Sequence, residues 1–297
     1  MTFIAAGLTM CAAEDSIFLK RWLDHYAKHL GGREHLYVFV DGRAPQLVEL
    51  ARGASVIEFP RDNTSAAFEK QRWWILQRFC EVLATKYNAV ICGDVDELIV
   101  PAPGVATSVS DYLSGVTDAP DHLCPIGFEI IHLPQETAEL DASRPVLQQR
   151  HFGRLNSKYA KPSILMNPYA RKLKPGGHIW HNGDWNLTTD LCLFHLKAMD
   201  RNTSQDIAKH RMQRVSELEG DGATVKEHGI RGWQQGFQQF EEMQMWMMER
   251  MEKLETLNLG TIGPFLDGYE RRRNKIKRCP SIQTGPFQLD AEWWPLL

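Results

Sequence analysis

The stretch "NAVICGDVDELIVP", Asn88 to Pro101, decides how this chain is read. An apolar run of strand type carries Asp94, Asp96 and Glu97 in its middle. An unpaired buried carboxylate is very costly, so these acids must be solvated, ion-paired or holding a cation. Side chains alternate along a strand, so Asp94 and Asp96 are expected to point the same way, with Val95 in the core. Two hard oxygen ligands on one side suit Mg²⁺ or Mn²⁺, and such an ion can bridge a diphosphate. The competing reading is a solvated loop or an ion pair with a nearby Lys or Arg.

Working outward, the segments before this stretch alternate in type. "FIAAGLTM" reads as a strand. "DSIFLKRWLDHYAKHLGG" is a helix with Phe18, Trp22, Leu23, Tyr26, Ala27 and Leu30 on one face, Asp15 or Ser16 as N-cap and Gly31-Gly32 as the stop. "HLYVFVDG" is a strand ending at Asp41, "PQLVELARG" a short helix and "ASVIEF" a third strand. After the polar "PRDNTS", a long helix turns Phe68, Ile75, Leu76, Phe79, Val82 and Leu83 inward. "NAVICGDVDE" is then the fourth strand. Alternation of this kind predicts an α/β fold with a mainly parallel sheet flanked by helices. Ligands bind at the carboxyl ends of such strands, where Asp41 and the acidic cluster fall. Lys70 and Arg72 open the long helix, whose N-terminus favours a phosphate; a solvated basic first turn explains them equally.

Beyond Pro101 the regularity fades into short apolar pieces and long loops, and loops of that length tend to be functional. In "GGHIWHNGDW", His178 and His181 have a spacing that could bind zinc, but no further ligand is near enough to complete a set. Trp180 and Trp185, with His178 beside them, suggest a sugar-binding platform. From Asp200 the pattern is helical, and "WQQGFQQFEEMQMWMMERMEKLETL" places Trp233, Phe237, Phe240, Trp246 and Met247 at helical spacing, for a core or a self-association face. The expected division is residues 1–210 for the α/β domain, with 1–100 the nucleotide-binding half and 101–210 the acceptor half, and 211–297 for a helical extension.

Composition sets outer limits. The chain has 297 residues, 43% hydrophobic and 24% charged, ordinary for a globular protein. A net charge of -3 gives no global basic field, which argues against nucleic acid as a partner. Cys11, Cys80, Cys92, Cys124, Cys192 and Cys279 lack C-x-x-C spacing and are expected to be reduced, in a cytoplasmic protein. "MTFIAAGLTMC" lacks the positive n-region of a signal peptide and reads as a buried strand. The basic run "RRRNKIKR", Arg271 to Arg278, is either solvated or a contact with the inner face of a membrane.

The order of these pieces resembles the GT-A glycosyltransferases, in particular a family-2-like branch with "DvDEf" strand ends. "LKRWLDHYAKHLG" resembles that branch's first helix, although Lys20-Arg21 stands where an acid usually precedes the Trp. "SKYAKPSILMNP" and "LFHLK" resemble two later segments, and the likeness covers roughly residues 3 to 210. It implies a nucleotide-sugar donor, with UDP as the default, and a glycan or glycolipid acceptor. It implies that Asp94 and Asp96 serve a divalent metal (Mn²⁺ or Mg²⁺) and the donor, that His195 is a third metal ligand, and that Lys197 faces the departing phosphate. Asp41 then contacts the base or ribose, and Arg72 and Lys161 join the donor site. An inverting transfer needs a carboxylate base, for which Asp184 is the first candidate and Glu129 the second. Two other readings stay open. One is a D-x-D phosphohydrolase, disfavoured because three strands precede the motif and Leu98 stands where Thr or Val is usual. The other is a sugar- or nucleotide-binding module without turnover.

Overall fold

A computed structural model of the chain describes residues 3–60, 68–137, 139–141, 143–170, 172–179, 186–220, 236–273 and 282–297. The first half alternates as expected: β1 (Ala5–Cys11), α1 (Ser16–Leu30), β2 (Leu36–Asp41), α2 (Pro45–Leu50), β3 (Ser55–Phe59), α3 (Phe68–Leu83) and β4 (Ala89–Cys92). The four strands pair in parallel in the order β3-β2-β1-β4. Every residue of β1 is buried, because helices cover both faces of the sheet. Alternation then sorts the strand between two cores. Ala5 and Cys11 join the cluster of α1 and α2, while Ala6, Leu8 and Met10 join that of α3.

α1 buries Phe18, Leu19, Trp22, Leu23, Tyr26 and Leu30, and burial of each large apolar side chain contributes about 1.5–3 kcal/mol. The helix stops at Gly31, whose φ of 88° is the left-handed C-cap that glycine adopts most readily. α3 faces inward differently from expectation. Trp73, Leu76, Cys80 and Leu83 are its buried positions, with Ile75 and Phe79 packed at the margin, and Val82 is 59% exposed. Gln77 also lies on the inner face because its amide donates to the Pro168 carbonyl and its oxygen accepts the Leu173 N–H.

The second half is built from β5 (Glu97–Pro101), α4 (Val109–Ser114), β6 (His122–Ile131), β7 (Phe152–Asn156), β8 (Ile164–Leu165), β9 (Leu173–Lys174), β10 (His178–Ile179) and β11 (Leu187–Ala198). β8 lies antiparallel to β4 and to β6, so it stitches the parallel sheet to an antiparallel extension. β11 runs between β5 and β6, parallel to β6. The result is a mixed α/β protein in which a parallel sheet flanked by helices continues into antiparallel strands.

α5 (Arg201–Gly220), α6 (Gln238–Met248), β12 (Glu255–Thr256), α7 (Leu259–Arg273) and β13 (Gln283–Gln288) complete the chain. The region after residue 210 is therefore not purely helical: β13 pairs antiparallel with β7, and Phe287, Leu289 and Trp293 enter the main core. Of the Met-rich helix α6, Phe240, Met243 and Met247 pack on Ile131, Phe152 and Ala198, a core role. Among the described residues no helix is long and apolar enough to cross a membrane, and Cys11, Cys80, Cys92, Cys124 and Cys192 are free and buried. Cys279, and the basic run from residue 274 to Arg278, lie outside the described residues.

Candidate active site

β4 ends at Cys92, and the acids do not continue it. Gly93 to Asp96 form a turn, closed by the Glu97 N–H donating to the Asp94 carbonyl, before β5 departs. Strand alternation therefore does not govern Asp94 and Asp96, and their carboxylates meet different partners. Val95 is buried, as expected.

Asp94 faces cations. Arg72, on the first turns of α3, donates Nη2 to Oδ1 at 2.7 Å, and the Lys161 Nζ lies 3.3 Å from Oδ2. Burial alone would raise the Asp94 carboxyl; Lys161 and Arg72 outweigh it and hold the group well below the usual carboxylate range. Lys161 also donates to Glu97 at 2.7 Å and to the Gly176 carbonyl at 2.7 Å. Burial, with Asp94 adding to it and Lys161 opposing, pushes Glu97 up to about 7.

Asp96 faces a histidine instead. Its Oδ2 lies 3.6 Å from His195 Nε2. The sheet dictates the far side of that ring, because His195 on β11 is in register with Glu129 on β6, and Glu129 is in register with Arg154 on β7. Arg154 donates Nε and Nη2 to Glu129 Oε2, each at 2.8 Å, and Tyr159 donates its hydroxyl to Oε1 at 3.0 Å. The Tyr159 ring stacks on His195 with centroids 3.9 Å apart. Against the upward push of burial, His195 and Arg154 keep Glu129 well below its ordinary value. His195 Nδ1 is buried without a hydrogen-bond partner, 3.6 Å from Glu129 Oε1.

Asp94, Asp96, Tyr159 and His195 border a cleft of about 420 Å³ at the carboxyl ends of β1, β2 and β4. Asp41, Arg72, Asp94, Asp96, His195 and Lys197 all line it, so the structure gathers six of the residues singled out from sequence. Lys161 stands behind Asp94, buried. Glu129 is not on the cleft wall; it is held in the interior by Arg154, Asn156 and Tyr159, away from any substrate in the cleft, and does not suit a proton acceptor from a substrate. His178 begins β10, but its side chain, and all of Trp180, His181, Asp184 and Trp185, lie outside the described residues.

Sequence reasoning missed part of the cleft. Arg211 and Arg214, one turn apart on α5, line it, and Arg214 pairs with Asp41 at 3.2 Å. Their spacing on a helix following "LFHLK" was the available signal. Asp15, considered only as a cap, lines the cleft and is raised to about 6 by burial, with Arg211 opposing. Burial and the nearby Arg211 lower Lys197 to about 8, and its Nζ donates to Gln239 at 2.7 Å.

No family model matches the chain, and no curated protein matches it. A solved structure, S. aureus TarS, is similar at 10% identity over 74% of this chain and 43% of that chain, with a TM-score of 0.34. The chain thus spans less than half the length of TarS, and a likeness this slight carries no argument about activity.

Does the site fit a divalent ion? Among the described residues no group of three or more His, Cys, Asp or Glu is placed to hold a metal ion by itself. Asp94 is occupied by Arg72 and Lys161. Asp96 and His195, however, present two donors side by side on the cleft wall, and the orphaned His195 Nδ1 faces the Glu129 carboxylate. Mg²⁺ and similar ions are commonly held by one or two protein ligands together with water and substrate phosphates. A ligating histidine usually gives its other ring nitrogen to a carboxylate. Asp96 and His195 therefore fit as an open metal site, with Glu129 behind it.

Proposed function

We propose that this chain is a glycosyltransferase that moves a sugar from a nucleotide-sugar donor, UDP by default, to a hydroxyl of a glycan or glycolipid, with inversion. The observation that carries this reading is the convergence of Asp96 and His195 with the cations Arg72, Lys197, Arg211 and Arg214 around one strand-end cleft. An acid-imidazole pair beside a set of cations suits a diphosphate better than a neutral ligand.

In this reading Asp96 and His195 hold the divalent ion, which when bound neutralises negative charge on the diphosphate. Glu129 orients His195 and does not touch substrate. Lys197 and Arg72 face the phosphates, and Asp41 faces the nucleoside once Arg214 releases it. Asp94 anchors Arg72 and Lys161, which fixes the turn that carries Asp96. Asp184 is the proposed base, and Trp180 and Trp185, with His178, are the proposed acceptor contacts.

Thermal melting with UDP and Mn²⁺, alone and together, tests the donor site. The expected result is a joint stabilisation greater than the sum of the two, lost in Asp96→Ala. If neither ligand alone nor the pair shifts the wild type, the donor assignment fails.

A further inference from the structure

A second hollow, of about 400 Å³, runs along the outer side of α1, at some remove from the donor cleft. At ~30 Å³ per water molecule its volume would hold roughly a dozen waters, room for a small ligand segment. Its floor is apolar: Ile17, Leu50, Leu98, Val146 and Leu296 line it. Leu98 and Val146 are buried there, and Ile17 and Leu50 are half-buried at its edge.

The rim is basic and its charges are unequally used. Lys20 and Asp24 pair at 2.9 Å, and Arg33 adds a second bond to Asp24 at 2.7 Å, so this acid of the rim is already matched by two cations. Arg21 and Lys28, two turns apart on the same side of α1, also line the hollow. The half-buried Arg21 guanidinium makes no side-chain hydrogen bond among the described residues; burial destabilises its charge, and Asp24, already bonded to Lys20 and Arg33, opposes that. A half-buried guanidinium that shares Asp24 with two other cations above an apolar floor can take up an anion attached to something greasy. His25 lines the hollow but brings no charge, since burial holds it well below its ordinary value and its Nε2 is engaged with the Ile99 carbonyl at 2.8 Å.

We infer that this hollow binds a single-chain anionic amphiphile, with the chain on the Ile17, Leu50 and Leu98 floor and a phosphate or carboxylate head on Arg21 and Lys28. The hollow is not isolated. Ser16 and Ile17 also line a neighbouring depression against Ile207 and His210 on α5, and Glu14 links that depression to the donor cleft. That path leaves the hollow at the first turn of α1, whereas Arg21 and Lys28 hold the head group farther along the helix, so binding in the hollow depends neither on the donor cleft nor on the glycosyltransferase reading.

The test uses the full chain without metal or nucleotide, so its failure is separate from that of the donor site. Titration calorimetry compares dodecyl phosphate with dodecyl maltoside, both below micelle formation. Dodecyl phosphate is expected to bind about tenfold more tightly, and the preference is expected to vanish in the double variant Arg21→Gln, Lys28→Gln. Both changes are on the surface of α1; if melting shows the pair to be unfolded, Lys28→Gln alone is expected to lower the preference. Ile17→Trp, which fills the floor, is expected to weaken both amphiphiles. Co-sedimentation with phosphatidylglycerol vesicles assigns the source. Capture that depends on Arg21 and Lys28 marks a bilayer lipid, and binding of dodecyl phosphate without capture marks a soluble one. Equal affinity for the two amphiphiles, no binding of either, or a preference that survives the double variant overturns the inference.

Discussion

His195 and Glu129 occupy one rung of the sheet, in register across β11 and β6, with Nδ1 and Oε1 3.6 Å apart on the side of the ring away from Asp96. The imidazole thus stands between two carboxylates, one on the cleft wall and one in the interior. Arg154 balances the interior charge, leaving Asp96 as the outward-facing member.

The arrangement predicts two separable effects of Glu129→Gln. Arg154 loses its buried counter-ion, and removing one partner of such a pair destabilises by about 3 kcal/mol. Urea unfolding measures that loss. His195 also loses the carboxylate that orients it, so the Mn²⁺ concentration needed for joint stabilisation with UDP is expected to rise on the order of tenfold. Unchanged metal dependence at reduced stability would leave Glu129 a purely structural acid.

Lys161 is expected to be indispensable to folding stability. Its ammonium serves Asp94, Glu97 and the Gly176 carbonyl at once and lies 5.8 Å from the Trp73 ring centre. In Lys161→Met, Arg72 still covers Asp94, but Glu97 is left as a buried acid without its cation. The expected loss is about 3–5 kcal/mol by urea unfolding. Adding Glu97→Gln removes the stranded acid and is expected to recover part of it, a coupling that a double-mutant cycle reads directly. Additive losses would mean that the two side chains do not act as a pair.

Much of the first hundred residues was legible because it rests on periodicity. The inward face of α1 follows from a spacing of three to four residues, and β1 is buried along its whole length, as its apolar run implies. Val82 on α3 was misassigned because the inner face admits a polar residue, Gln77, whose hydrogen bonds are not visible in a hydrophobic pattern. The strand reading of Asp94 and Asp96 failed for a different reason: Gly93 and the turn hydrogen bond end β4 before the acids, so local chain geometry overrides alternation. Glu129 was noticed as a lone acid in an apolar strand, yet its partner Arg154 is set by the β6–β7 register. Long-range register of that kind leaves no mark in local sequence.

Gly127 is predicted to be fixed by close approach of the backbone. A Cβ there would fall 2.5 Å from the Tyr159 carbonyl carbon and 2.7 Å from the Ala160 nitrogen, atoms that cannot swing aside. Gly127→Ala is expected to destabilise by about 1–3 kcal/mol and to displace Tyr159 from His195. Gly115→Ala, just past α4, is the control: its backbone is right-handed, with φ −89°, and a Cβ there meets the Tyr112 carbonyl at an ordinary 3.5 Å. That variant is expected to be neutral or slightly stabilising in the same urea titration. Equal behaviour of the two variants would remove the steric account.

Asp15 supplies the pH dependence. Burial raises it from 3.8 to about 6, while Arg211 and the Ala12 N–H oppose the rise. A carboxyl raised on folding binds more protons in the native state than in the unfolded chain between those two values. Its contribution to stability is therefore present below the unfolded value and is lost as pH rises through the folded one. Asp15→Asn keeps an acceptor for the Ala12 N–H and, like Asp, is accepted at the start of a helix, so it removes the charge with little else. The variant is expected to match the wild type near pH 4 and to exceed it by on the order of 1–2 kcal/mol at about pH 7. Urea midpoints across that range measure the difference. A difference that stays constant with pH would show that Asp15 does not titrate in this window. A carboxylate charged at neutral pH also repels a diphosphate in the same cleft, so Asp15→Asn is further expected to bind UDP at least as tightly as the wild type, and a loss of UDP binding would make Asp15 a direct contact of the donor.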